Sequence, residues 1–239
     1  MKKKLLSFVL LSSLTLSACI PVPTRPENDD SIVQQTPEYE THTSVDSVPN
    51  VENENDNDDV TLEDLQITEY SYENTIGDTL HFLVIKNNSD KTLQIESNST
   101  AHDASGTIIG ADSSELEALG PDCESVLIDY FDRVSGVDHF EYSLFIQEDP
   151  YYDSVIQDLD AQYSLLEDKV IITCTNTGEE AARFVNATVL FFYEGTLISY
   201  DSTYIMDSED ELKPGATLSE QLDCYKKFDD IKVYFGGRR

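Results

Sequence analysis

From Leu62 onward the chain repeats itself, and this limits the folds open to it more than any other feature. Phe82-Leu83-Val84-Ile85-Lys86-Asn87-Asn88-Ser89 is answered by Val170-Ile171-Ile172-Thr173-Cys174-Thr175-Asn176-Thr177. With Asn87 set against Asn176, Gly106-Thr107-Ile108-Ile109 falls on Gly195-Thr196-Leu197-Ile198. Leu119-Gly120-Pro121 then answers Leu212-Lys213-Pro214-Gly215, and Asp129-Tyr130-Phe131 answers Asp223-Cys224-Tyr225. Phe140-Glu141-Tyr142-Ser143-Leu144 and Ile231-Lys232-Val233-Tyr234-Phe235 close the two units. Five matches in one order outweigh chance resemblance between β-rich segments. The chain must therefore build the same small core twice, in units of about 85–90 residues that each bury a little over ~60% of their unfolded surface.

Each unit is a series of short runs rich in Val, Ile, Tyr, Phe and Thr, separated by Asn-Ser, Gly-Thr or Pro-Gly punctuation. That spacing belongs to antiparallel sandwiches. Tyr142 and Leu144 alternate with Glu141 and Ser143, as in a strand with one wet face. Glu115–Leu119 reads as a short helical turn, too small to change the class. The expected fold is all-β: two tandem immunoglobulin-like sandwiches over residues 62–149 and 150–239, after a signal peptide and a disordered acidic tether.

The N-terminus carries an address. Met1-Lys2-Lys3-Lys4 is basic, Leu5 to Leu16 is an apolar run, and Leu16-Ser17-Ala18-Cys19 ends it. The run is too short for a spanning helix, which needs ~20 apolar residues, and has signal-peptide anatomy. It resembles the bacterial lipobox, which implies removal of residues 1–18, lipidation of Cys19 and an extracytoplasmic protein anchored to the cell membrane. Residues 19–61 then read as the tether, with no apolar periodicity to offset the entropy of ordering. About 40 flexible residues have a root-mean-square span of ~35 Å. The closing cluster Asn53–Asp59 lacks the glycine and terminal Glu of an EF-hand loop, so it is read as a solvated spacer.

The full chain of 239 residues has 47 acidic against 15 basic residues, a formal charge of −32. Lys2, Lys3 and Lys4 leave with the signal, which makes the mature chain more acidic still. Such a chain is repelled by nucleic-acid phosphates, and nucleic-acid binding is excluded as a main role. Cationic peptides, basic proteins of the envelope and divalent metals are the electrostatically sensible partners, and the alternative is that the charge simply keeps a surface protein soluble.

The strand and turn landmarks resemble the FxLYD-type domains of bacterial lipoproteins. Ile85-Lys86-Asn87 and Cys174-Thr175-Asn176 match that family's apolar-x-Asn strand end. Leu190-Phe191-Phe192-Tyr193-Glu194 followed by Gly195 matches its F-x-L-Y-D strand and Gly turn, of which the first unit keeps Asp103 and Gly106. The resemblance implies an immunoglobulin-like sandwich outside the membrane. It carries over no catalytic residue, because the signature describes turns and packing.

Candidate chemistry is sparse. No G-x-S-x-G elbow, H-E-x-x-H or P-loop occurs, so no catalytic residue is assigned. Cys174 and Cys224 both point into the second core by strand parity. In an exported protein they form either an inter-strand disulfide or two buried thiols. Cys123, after the Gly120-Pro121 turn, reads as exposed. His42, His81, His102 and His139 show none of the close spacing usual in zinc sites, so no metal ligand and no cofactor is assigned. The densest acidic loop of a folded unit, Asp207-Ser208-Glu209-Asp210-Glu211, is the candidate binding loop, through Asp207, Glu209, Asp210 and Glu211. The resulting reading is a lipid-anchored, non-catalytic binding or scaffolding module. An envelope enzyme with a site invisible in sequence and a purely structural spacer are the alternatives.

Overall fold

The computed structural model describes residues 60–239. The segments read from sequence as a signal peptide, a lipidation site at Cys19 and a tether up to Asp59 lie outside the described residues. The described chain is all-β, with antiparallel ladders throughout and two short 3-10 turns at Leu62–Asp64 and Ile156–Asp158. The first half forms β1 (Leu65–Glu73), β2 (Thr79–Asn87), β3 (Leu93–His102), β4 (Ile108–Leu119), β5 (Glu124–Phe131) and β6 (His139–Glu148). One sheet has the order β1-β2-β5 and the facing sheet β4-β3-β6. The second half forms β7 (Leu159–Leu165), β8 (Lys169–Asn176), β9 (Ala182–Tyr193), β10 (Thr196–Tyr204), β11 (Glu211–Leu212), β12 (Thr217–Asp223) and β13 (Asp230–Arg238). Here β7-β8-β12 faces a sheet in which β10 and β11 flank one edge of β9 and β13 the other. The first, second and fifth strands of the first unit thus share one sheet and the third, fourth and sixth the other, and the second unit repeats this immunoglobulin-like order when β10 and β11 are counted as one strand.

The duplication is visible bond by bond. Asn87 Nδ2 donates to the carbonyls of Lys91, Leu119 and Gly120, while its Oδ1 accepts from the Ser89 N–H. Asn176 Nδ2 donates to those of Glu180 and Leu212, while its Oδ1 accepts from Gly178 N–H. In both units the buried amide ties the end of the second strand to the turn after it and to the end of the fourth strand. The halves differ where β4 runs unbroken but its counterpart is split into β10 and β11 by the loop holding Asp207–Asp210. The β9–β10 turn is two residues long, with Glu194 (φ 51°) and Gly195 (φ 83°) both left-handed. This is the geometry a tight hairpin needs to match strand twist, and Gly195 adopts it without steric cost.

Three expectations are corrected. Glu115–Leu119 is the end of β4, paired with β3, and not helical. Asp129 lies opposite His81 as Leu222 lies opposite Val170, so Asp129 answers Leu222 and the buried Phe131 answers Cys224. The sequence match of Asp129 with Asp223 is one residue out, a slip that exchanges inward for outward positions. Cys123 is buried in the first core instead of exposed.

Both halves fall within one compact unit. β2 and β9 are buried on both faces, which accounts for their unbroken apolar runs. Leu83 and Ile85 face the first core, while Leu80, Phe82 and Val84 face the other way. Val189 and Phe191 face the second core, while Leu190 and Phe192 meet the β2 residues in a third cluster with Leu197 and Tyr234. This seam packs β1-β2-β5 of the first sandwich on β10-β9-β13 of the second. Tyr70 meets Phe192 edge-on at 5.3 Å, and Phe82 meets Tyr200 at 5.2 Å. Lys232 lies over the Tyr70 ring and donates to its hydroxyl, and Arg238 pairs with Glu117. Among the described residues, two sheet faces remain turned to solvent: the outer sides of β4-β3-β6 and β7-β8-β12.

Candidate functional site

The first sandwich holds a charged group in its core. His81, on β2, is 1% exposed and lies between two carboxylates. Its Nδ1 is 3.2 Å from Asp129 Oδ2 on β5, and its Nε2 is 3.3 Å from Glu69 Oε2 on β1. Asp129, fully buried, also accepts from the hydroxyls of Ser99 and Ser114, with Ser97 at 3.5 Å. Tyr142 from β6 donates to Glu69 Oε1 at 3.0 Å, and Phe140 stacks on the imidazole at 4.2 Å. Burial pulls the imidazole's pKa down. The hydrogen bonds to Asp129 and Glu69, together with their charges, more than reverse that and leave it above the ordinary 6.5.

Serine, histidine and aspartate meet here without forming a nucleophile–base pair. The serine hydroxyls bond Asp129, whereas a triad needs one on the imidazole. Both ring nitrogens are occupied by carboxylates, an arrangement that favours the doubly held imidazolium and leaves no nitrogen free to act as a base. The second sandwich shows that the fold does not require it. Val170 and Leu222 stand where His81 and Asp129 stand. Matching Phe140 with Ile231 sets Ser99 against Val189, Ser97 against Ala187 and Tyr142 against Val233.

A second cluster lies on the outward face of β4-β3-β6. His102 at the end of β3 and His139 at the start of β6 are direct cross-strand partners, and Glu141 stands two residues along β6. One ligand atom from each lies within 4.8 Å of the others. The imidazoles stack at 4.8 Å with 16° between planes, and His102 Nε2 is 3.7 Å from Glu141 Oε2. These three residues have the donors to hold a metal ion. Sequence spacing misses them because strand pairing, and not a short motif, brings them together.

The remaining candidates are placed as follows. Asp207 caps its own turn by accepting from the N–H groups of Glu209 and Glu211. Those turn hydrogen bonds and Lys213 hold its carboxyl below the usual range. Lys213 pairs with both Asp207 and Glu209, and Arg183 pairs with Glu211 at 2.6 Å, which leaves Asp210 at the exposed tip. The acidic loop thus carries its own counter-ions. Cys174 and Cys224 share the second core as expected, but both are free thiols. Cys174 is opposite Leu218 and Cys224 lies beyond the Lys169–Asp223 pair, a separation of about 20 Å at ~3.3 Å per residue. A disulfide needs Cα atoms within about 7 Å, so this geometry rules the bridge out. Burial pushes the Cys174 thiol up to about 11 and raises Cys123 as well, which suits inert core thiols.

No family model and no curated protein matches this chain. Among solved structures it is similar to a red sea bream transglutaminase, with a TM-score of 0.26 and 12% identity, over 74% of this chain and 29% of that one. The chain spans less than a third of that enzyme's length, and a likeness this weak carries no argument about fold or activity.

Proposed function

We propose that the protein is a lipid-anchored extracytoplasmic binding module, a two-sandwich head without catalytic activity held at the cell membrane by an acidic tether. The observation that carries this reading is the division of polar chemistry between inside and outside. Among the described residues, no buried side-chain nitrogen or oxygen lacks a partner. The inward groups are thereby fully engaged in holding the fold, as the His81 network illustrates. The outward face of β4-β3-β6 instead offers polar side chains such as Glu96, Asn98, Glu115 and Glu141 on a broad sheet, a surface that suits recognition. The Leu16–Cys19 motif supports the anchor, and the FxLYD-like landmarks support the address.

Acyl labelling and detergent partition test the anchor. Incorporation of labelled palmitate at Cys19, lost in Cys19→Ser, is the expected result, and an unlabelled chain that stays in the aqueous phase overturns it. Hydrolase or transferase turnover by the purified protein would overturn the non-catalytic reading.

A further inference from the structure

The geometry points to a binding site for a divalent transition-metal ion of the zinc class at His102, His139 and Glu141. The inference goes beyond the tethered-module reading and does not depend on the lipid anchor. Two imidazoles and one carboxylate are a borderline donor set, suited to zinc or copper and poorly suited to calcium or magnesium. The first requirement is convergence. Ligand atoms around a four-coordinate zinc lie ~3.3 Å apart, given metal–ligand distances of about 2.0–2.2 Å. His102 Nε2 and Glu141 Oε2 are 3.7 Å apart, and the Glu141 side chain is 68% exposed, so its rotamers are free to close the remainder.

The second requirement is that each imidazole present the correct nitrogen. His102 Nδ1 faces the Gly106 carbonyl at 3.4 Å, and Nε2 receives the Thr100 hydroxyl at 2.9 Å. That pattern fits an Nδ1–H tautomer with its lone pair on Nε2, beside Glu141. An arriving ion takes this lone pair, and the Thr100 hydroxyl turns its one proton to the Glu141 carbonyl, 3.3 Å away. His139 Nδ1 is held by Asp138 Oδ2 at 3.1 Å, which leaves Nε2 as its donor. A carbonyl on one ligand ring and a carboxylate on the other are the outer partners that metal-bound histidines use to fix tautomer and orientation. Water would take the fourth position. In the second sandwich, Phe192, Asp230 and Lys232 stand where His102, His139 and Glu141 stand, and Phe192 is packed into the seam. The fold therefore does not demand the cluster, which occurs on the copy of this face that is left open.

The test uses the whole mature chain with Cys19→Ser, stripped of metal and titrated with cobalt and then zinc. The expected result is one cobalt per chain with the visible absorption of a four-coordinate site, displaced by zinc. The imidazole NMR signals of His102 and His139 shift, while those of His42 and His81 stay. His139→Asn and Glu141→Gln alter partly or largely exposed side chains, 30% and 68%, and leave the fold intact. Each should weaken zinc binding by ~100-fold or more, since outer partners alone are worth about 10- to 100-fold, and Asp138→Asn by about tenfold. Uptake unchanged in His139→Asn and Glu141→Gln, with unmoved imidazole signals, would place the ion on the acidic surface and overturn the proposal. No uptake at all would overturn it equally.

Discussion

His81 brings a positive charge into a core whose sister copy uses valine at the same place. The charge is tolerated because carboxylates on two different strands face it, Glu69 on β1 and Asp129 on β5, with Tyr142 on β6 completing the hydrogen bonds to Glu69. Since the folded pKa lies above the unfolded 6.5, the imidazolium contributes stability that is fully present below pH 6.5 and is lost as pH rises through the folded value. Urea midpoints measured from pH 6 to 9 should fall with rising pH in the wild type. The fall should vanish in a variant carrying the second core's residues: His81→Val, Asp129→Leu, Ser97→Ala and Ser99→Val. His81→Val alone leaves Asp129 buried beside no cation and should cost about 3–5 kcal/mol, whereas the combined replacement should be close to neutral or stabilising. A flat pH profile in the wild type would refute the imidazolium assignment. The paired asparagines give a second test at this scale. Asn87→Ala strips three carbonyls and one N–H of their partner and should destabilise by at least ~2 kcal/mol in a denaturant series. Asn176→Ala should behave alike, because it fills the same position in the second unit.

Strands carry the next level, and here the sequence was most readable where periodicity speaks. Alternation in β6 and the unbroken runs in β2 and β9 assign strands and even report burial on both faces. Landmark residues such as Asn87 and Asn176 place equivalent turns in both copies. What periodicity does not encode is partnership. Leu80 and Phe82 are visibly apolar, but nothing local in the sequence says that they meet Leu190 and Phe192 of the other sandwich. His102 and His139 likewise become neighbours only through the β3–β6 register, and the one-residue slip at Asp129 hid the histidine–aspartate pair. The acidic run that splits β10 from β11 reads in sequence as a candidate binding loop, and its lysine and arginine partners come from Lys213 and from Arg183 on β9, a pairing that local sequence does not encode. The seam can be probed one strand at a time. Phe82→Ala removes a fully buried ring and should cost about 3–5 kcal/mol, and Phe192→Ala on the facing strand a comparable amount. Their double variant should lose less than the sum, because both rings line one shared cluster.

At the scale of the head, the seam decides whether two small domains behave as two or as one. A sandwich of about 90 residues has little core of its own, and domains that share a large apolar interface lose the independence expected of tandem modules. The two faces that meet are not equivalent: the first sandwich offers its β1-β2-β5 side and the second its β10-β9-β13 side. Such a head-to-tail contact would extend indefinitely if the exposed copies of those faces were apolar too. They are not. The free β4-β3-β6 face presents Glu96, Glu115 and Glu141, and the free β7-β8-β12 face presents cross-strand pairs of Thr173 with Ser219 and Thr175 with Thr217. Apart from Phe145, these exteriors are largely polar and do not favour further stacking. Calorimetry of the protein should therefore show one cooperative transition, with the calorimetric and van't Hoff enthalpies equal. Placing a charge in the seam with Phe82→Asp should separate it into two transitions, the first sandwich melting earlier because the aspartate lies on its own strand. Two resolved transitions in the wild type would mean that the seam does not couple the sandwiches. A single transition in Phe82→Asp would mean that coupling runs instead through polar contacts at the rim, such as Arg238 with Glu117 and Lys232 with Tyr70.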